Sequence, residues 1–280
     1  MTAPRLPQLF SAMSLGCAAL LIASVAAGAP VLPDFDSATF DPNQPIDNPY
    51  FPMTGSSTLR YTGSEDGEPI DTYFEHTNQG LGPVLLGVQT FVQRDREFED
   101  GLLVEDTFDY FAQDTDGNVW YFGEDSTAYE YDDEGNLIDT DTSGSWQAGV
   151  NDALPGFIMP VDLETGFNYY QEFAPDDEAV DQATTYALLA SLTTDSGTYE
   201  NVLQVLETTE LEPDEFEFKY YAPGIGLILV EEDLDENLEN PETVFTLQPR
   251  AAPEPTTLGT LLLGLAMLGA IRLRRPQPLR

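Results

Sequence analysis

Leu102-Leu103-Val104-Glu105-Asp106-Thr107-Phe108-Asp109-Tyr110-Phe111-Ala112, the turn Asp116-Gly117 and the returning run Asn118-Val119-Trp120-Tyr121-Phe122 decide the fold. Leu102, Val104, Phe108, Tyr110 and Ala112 recur at every second position, with Asp106 as the exception. A period of two is the signature of a strand, because successive side chains point to opposite faces. Asp-Gly between two such runs favours a tight hairpin. The device repeats at Ala128-Tyr129-Glu130-Tyr131, a turn around Glu134-Gly135-Asn136, and Leu137-Ile138. Phe216, Phe218 and Tyr220 alternate with Glu215, Glu217 and Lys219, and Leu227-Ile228-Leu229-Val230 resumes after Pro223-Gly224-Ile225-Gly226. Thr198 to Thr208 and Thr243 to Leu247 also read as strands.

Helical signals are few. Glu178 to Leu192 is rich in Ala and Leu, but its Thr184-Thr185-Tyr186 centre favours strand. Residues 144–160, with Gly149, Pro155-Gly156 and Pro160, read as a long loop. Residues 30–49, rich in Pro and Asp, read as an extended lead-in. The expected class is all-β: one antiparallel meander domain over 50–248, built as a curved sheet, half-barrel or sandwich. Expected core residues are Phe108, Tyr110, Trp120, Phe122, Val205, Phe216, Phe218 and Leu227. Parts of this region, Asn48 to Pro52, Asp114 to Glu124 and Tyr220 to Leu227, resemble uncharacterised secreted bacterial β domains.

The charge is extreme. Fifty acidic residues stand against ten basic ones, a formal net charge of −40 in 280 residues, while 41% of residues are hydrophobic and 11% aromatic. That composition supports a folded core and repels phosphate backbones, so no nucleic-acid partner is expected. Every acidic residue but Glu254 lies within 30–252, where the basic residues are Arg60, Arg94, Arg96, Lys219 and Arg250. Such a surface fits either a saline habitat, where repulsion is screened, or general solubility.

Both ends read as addresses rather than fold. Residues 1–29 hold no acidic residue; Arg5 precedes an apolar run from Leu9 to Ala27, closed by small residues through Ala29. This is the layout of a secretory signal helix cut by signal peptidase near Ala26 to Ala29. Ser14-Leu15-Gly16-Cys17 is a displaced lipoprotein box, and ordinary cleavage discards Cys17. At the other end, linker 249–255 carries Pro253-Glu254-Pro255. An apolar helix and Arg cluster over 256–275 end in Arg272, Arg274 and Arg275, before a tail at 276–280. The arginines mark the cytoplasmic side of a short transmembrane helix.

This tripartite tail resembles the PEP-CTERM sorting signal of exported Gram-negative proteins. The resemblance covers about residues 253–275 and implies an exosortase as processing partner, an inner-membrane precursor, and final release to the cell surface or extracellular matrix.

Chemistry is sparse in the sequence. A serine triad requires an imidazole, and His76 is the chain's one histidine. No G-x-S-x-G elbow is present, and no catalytic residue and no cofactor are expected. No metal site is expected from one His and one Cys. Asp114-Thr115-Asp116-Gly117-Asn118 and Asp132-Asp133-Glu134-Gly135-Asn136 resemble calcium loops but miss the EF-hand spacing, so they read first as turns, with weak divalent-cation binding as the alternative. The expectation is an exported, non-catalytic surface or matrix protein whose acidic face acts by hydration, by loose divalent-cation bridging or by contact with matrix polysaccharide. The alternatives are a carrier holding an apolar ligand in a curved sheet and a carboxylate-dependent hydrolase.

Overall fold

Strand follows strand in the computed structural model, which describes residues 28–56 and 58–249. The strands are β1 (Thr58–Glu65), β2 (Glu68–Leu85), β3 (Val88–Glu99), β4 (Leu102–Gln113), β5 (Val119–Tyr131), β6 (Leu137–Asp141), β7 (Trp146–Gln147) and β8 (Leu154–Met159). They continue as β9 (Asn168–Tyr170), β10 (Glu172–Phe173), β11 (Asp181–Thr194), β12 (Gly197–Thr209), β13 (Glu217–Ala222), β14 (Gly226–Glu232) and β15 (Thr243–Leu247). Among the described residues, the only helical turns are two three-residue 3-10 turns, Phe35–Ser37 and Pro175–Asp177. The signal segment with Cys17, Arg250, and the sorting residues Pro253, Glu254, Pro255, Arg272, Arg274 and Arg275 lie outside the described residues. Among those described, no helix is long and apolar enough to cross a membrane.

All fifteen strands join one antiparallel sheet, in the order β10-β8-β5-β4-β3-β2-β1-β15-β14-β13-β12-β11-β9, with β6 and β7 also pairing with β5. The all-β antiparallel class is as expected, and Glu178 to Leu192 is largely strand. The sheet goes further than a half-barrel, because its two edges are consecutive pieces of chain. Asn168 to Tyr170 pair with Thr184 to Gln182, and Glu172 to Phe173 pair with Pro155 to Leu154. Between them the Gln171 amide donates to the Asp181 carbonyl at 2.8 Å. Six residues therefore bridge both edges and nearly close a barrel, which removes exposed edges.

The expected long loop at 144–160 is corrected by β7 and β8. Pro155 and Gly156 read as breakers, but both serve the seam. Proline tolerates a sheet edge, and Gly156 lets β8 approach the chain crossing it. A Cβ at Gly156 would collide with the carbonyl oxygens of Tyr170 and Gln171.

The segment before β1, which holds the Phe35–Ser37 turn, has two tasks. Phe35 and Phe40 lie edge-on to Trp120 and Phe122, with centroids 5.7–6.0 Å apart. Ile46 is fully buried, and Phe51, Pro52 and Met53 then turn under the barrel and form part of the wall of its interior. Gln113 Oε1 anchors this segment by accepting from the amides of Asp47 and Asn48 at 2.9 and 2.8 Å.

The alternation is right, but the core it suggested lies mostly off the lumen. Trp120, Phe122, Val205, Phe218 and Leu227 are buried, whereas Phe108, Tyr110 and Phe216 are half-buried. On β4 the face turned to the lumen is Glu105, Asp109 and Phe111. Its opposite face carries Asp106, which takes Arg94 through two contacts of 2.6 Å, and Phe108, over which the Arg94 guanidinium lies at 5.2 Å. Arg96 pairs with Glu75 at 2.7 Å and Arg60 lies 3.5 Å over the Tyr73 ring.

Replacing Gly156 by Ala should cost about 1–3 kcal/mol or more by overpacking the seam. Gly144→Ala should be close to neutral, because its Cβ meets only Ser126 at 4.0 Å. Denaturant midpoints of the two variants test this, and an unchanged midpoint for Gly156→Ala would mean the seam is loose.

Candidate functional site

The nearly closed sheet surrounds an open-mouthed cavity of about 350 Å³. Toward the lead-in its wall is apolar: Phe51, Met53, Tyr61, Phe74, Phe111, Ile158, Leu227 and Phe245. Tyr61 stacks on Phe74 at 4.4 Å, Phe245 meets Phe74 edge-on at 5.2 Å, and the Tyr61 hydroxyl donates to the Leu227 carbonyl at 3.0 Å. Elsewhere the wall is carboxylic. Asp95, Glu97, Glu105 and Asp109 come from β3 and β4, Glu172 from the seam, and Asp181, Glu207, Glu217 and Glu232 from β11 to β14. A second space of about 720 Å³ shares Asp181, Glu207, Glu217, Lys219 and Glu232 with the first and adds Glu178, Glu212, Glu215 and Asp233. It forms an acidic vestibule beside the lumen.

Alternation places these acids. Strands that carry Phe, Tyr or Leu on one face carry Asp or Glu on the other, and closure turns the second face inward. Burial then acts on the ionised form. Desolvation raises Glu97 to about 7, helped by the charges of Glu105 and Glu232. It raises Asp109 to about 7, with Asp95 adding repulsion. Glu124, Glu172, Asp181, Glu217 and Glu232 are raised for the same first reason.

One contact demands a proton. The Tyr121 hydroxyl lies 2.7 Å from Asp109 Oδ1 and 2.9 Å from Glu124 Oε2, and Asp109 and Glu124 are cross-strand partners. A phenol has one proton to donate. The second contact is a hydrogen bond only when one carboxyl is protonated and donates to the phenol oxygen.

Two side chains oppose the negative wall. Lys219 Nζ is 2.6 Å from Glu207 and 3.4 Å from Glu217. Burial pulls its ammonium down, but these carboxylates outweigh burial and hold it well above its ordinary value. His76 Nε2 is 2.7 Å from Asp95 Oδ2, and its ring lies 5.1 Å from Tyr61 and 5.0 Å from Phe74. His76 thus shares the lumen face with Phe74, the face on which its spacing puts it.

The calcium-like loops are turns. Asp114 Oδ1 accepts from the amides of Asp116, Gly117 and Asn118 at 2.8–3.0 Å, and its Oδ2 accepts from Asn118 Nδ2 and Trp120 Nε1, each at 2.8 Å. Five donors saturate this carboxylate. The turn is not the expected two-residue one, because Gly117, at φ +101°, closes a loop of Thr115 to Gly117. Asp132 repeats the pattern with Glu134 and Asn136. Among the described residues, no three His, Cys, Asp or Glu side chains gather as metal ligands.

The sequence did not single out the lumen acids, because fifty acids hide nine. Two signals were available: Asp109 set among Phe108, Tyr110 and Phe111, and the chain's lone lysine set between Phe218 and Tyr220.

No protein-family model matches the chain, and no curated protein matches it. Two crystal structures are similar. One is a Bacteroides fragilis protein described as exported and of YmcC-like fold, with 13% identity over 76% of this chain and 98% of that one, at a TM-score of 0.33. The other is a Parabacteroides distasonis protein described as a lipoprotein, with 13% identity over 71% of this chain and 97% of that one, at a TM-score of 0.36. Similarity of this degree assigns neither family nor activity.

The raised carboxyls fix the sign of a pH effect. The folded state keeps protons that the unfolded chain releases near its ordinary values of 3.8 to 4.5. Their contribution is fully present below that range and is lost as pH rises through about 7. Thermal unfolding should show a lower midpoint at pH 8 than at pH 5.5, with Asp109→Asn flattening the slope. A midpoint that rises over this interval would contradict the burial of these carboxyls.

Proposed function

We propose that the chain is an exported, non-catalytic protein of the cell surface or extracellular matrix, sorted by an exosortase, whose barrel holds a small ligand. The observation that carries the binding part is the lumen. It has an apolar wall that includes Phe51 and Met53, a carboxylic wall, and an adjoining vestibule. Its volume of about 350 Å³ lies in the range of small-molecule sites. This favours the carrier over a protein that acts only through its acidic exterior.

The address rests on sequence. The apolar, acid-free N-terminus supports export, and Pro253-Glu254-Pro255, the apolar run and Arg272, Arg274 and Arg275 support sorting from an inner-membrane precursor. Matrix polysaccharide remains the partner proposed for the acidic exterior, with loose divalent cations as bridges.

The buried acids also bear on the hydrolase reading. Asp109 and Glu124 are neighbours on adjacent strands, joined through Tyr121 into one proton-sharing unit. Glycoside hydrolysis needs two carboxyls on opposite sides of the scissile bond, acting separately. The pair suits binding and proton uptake better than that chemistry.

Asn78 lines the lumen and is half-buried, so Asn78→Trp should fill the cavity and leave the strand intact. In a thermal-shift screen of small molecules, at least one compound class should raise the midpoint of the parent protein and not that of Asn78→Trp. Equal responses, or none from any class, would overturn the carrier reading. Separately, replacing Pro253-Glu254-Pro255 by alanines should leave the protein in the inner membrane, and normal arrival at the surface would refute exosortase sorting.

A further inference from the structure

The lumen wall leaves a polar atom without a partner. Asp109 is 8% exposed; Tyr121 takes one of its oxygens, and Tyr121 is its one side-chain hydrogen-bond partner among the described residues. Asp95 Oδ1 is buried and has no hydrogen-bond partner, while Asp95 Oδ2 takes His76. Both residues line the cavity. A buried carboxyl oxygen without a donor, here Asp95 Oδ1, is unfavourable, and a ligand N–H supplies what the chain does not.

The same wall shows what it accepts. Lys219 places an ammonium between Glu207 and Glu217, on neighbouring strands, at 2.6 and 3.4 Å. Two carboxylates of this lumen thus hold one primary ammonium. Beside Asp95 and His76 stand the rings of Tyr61 and Phe74, with Phe245 on Phe74. Ring faces attract ammonium groups and bury an apolar body. A divalent metal is a poorer occupant. It takes six or more oxygens, and among the described residues no three candidate ligands gather.

We propose that the lumen binds a small primary ammonium compound with an aryl or alkyl body, its ammonium on Asp95 and Asp109 and its body against Tyr61, Phe74 and Phe245. The inference rests on the carrier reading and names the ligand class of that site. The groups facing the ammonium are Asp95, Asp109, Glu105, Glu124, Tyr121 and His76. Asp109 and Glu124, whose carboxyls burial raises, take up protons as pH falls, and binding of the ammonium weakens with them.

Isothermal titration of the protein purified as the exporting cell processes it separates the outcomes. The probes are phenethylammonium chloride, its neutral counterpart 2-phenylethanol, and calcium chloride. At pH 8.5 the ammonium should bind one to one and at least about tenfold more tightly than the alcohol. Its affinity should fall at least about tenfold at pH 5.5, where a primary amine is still charged. Asp109→Asn should cost at least about tenfold for the ammonium and leave the alcohol unchanged. If that variant does not fold, the comparison of ammonium with alcohol in the parent protein decides alone. Equal binding of alcohol and ammonium would overturn the proposal and leave the carrier reading standing. Calcium that binds more tightly and displaces the ammonium would overturn it in favour of an inorganic cation. Binding of neither organic probe would overturn the proposal, and a thermal-shift screen that still finds a ligand would keep that failure separate from failure of the carrier reading.

Discussion

Six residues, Asn168 to Phe173, hydrogen-bond to both edges of one sheet, and the rest of the molecule depends on that bridge. Without it, an open meander of this size would expose β8 and β11 as free edges and leave its inner face in water. With the bridge in place, the inner face becomes a lumen and its acids lose solvent. The close approach needs Gly156, whose missing side chain makes room for the carbonyls of Tyr170 and Gln171. Local chemistry at one glycine thus bears on how far the lumen carboxyls of the neighbouring strands lose solvent.

Closure also sets the chemistry of the lumen. Desolvating an acid disfavours its charge, and here the acids crowd one another as well. The cost is met by protons, by Lys219 and by His76. Three of the four basic residues described, Arg60, Arg94 and Arg96, stand on the opposite face, where they pair with Glu75 and Asp106 or lie over Tyr73, Phe98 and Phe108. Cations are therefore spent on holding the exterior of β1 to β4 together, and the lumen is left strongly acidic. Such a lumen is poised to take up positive charge, from solvent protons or from a ligand.

The sequence showed the strands and hid the lumen, for a physical reason. Period-two alternation defines two faces but does not say which one faces inward. On β4 the apolar face of Phe108 and Tyr110 looked like core, yet Glu105 and Asp109 point to the lumen while the lead-in and the ion pairs cover the outside. Pro155 and Gly156 read as loop because a breaker and a seam residue have the same composition. Asp114 and Asp132 read equally as ligands or as turn makers, and only the five donors around Asp114 distinguish the two. The lone lysine was conspicuous in the sequence, but its position at the junction of lumen and vestibule depends on contacts between strands that are far apart in the chain.

The central claim is that closing the sheet buries carboxyls that stay protonated near neutrality. Direct titration of the side-chain carboxyl carbons by nuclear magnetic resonance reads it residue by residue. The account predicts that Asp109 and Glu97 titrate near pH 7, while the exposed turn carboxyl of Asp132, held down by its bonds to Asn136, titrates below its ordinary value. If every carboxyl titrated below about pH 5, within the ordinary range of solvated acids, the burial of the lumen acids would be contradicted.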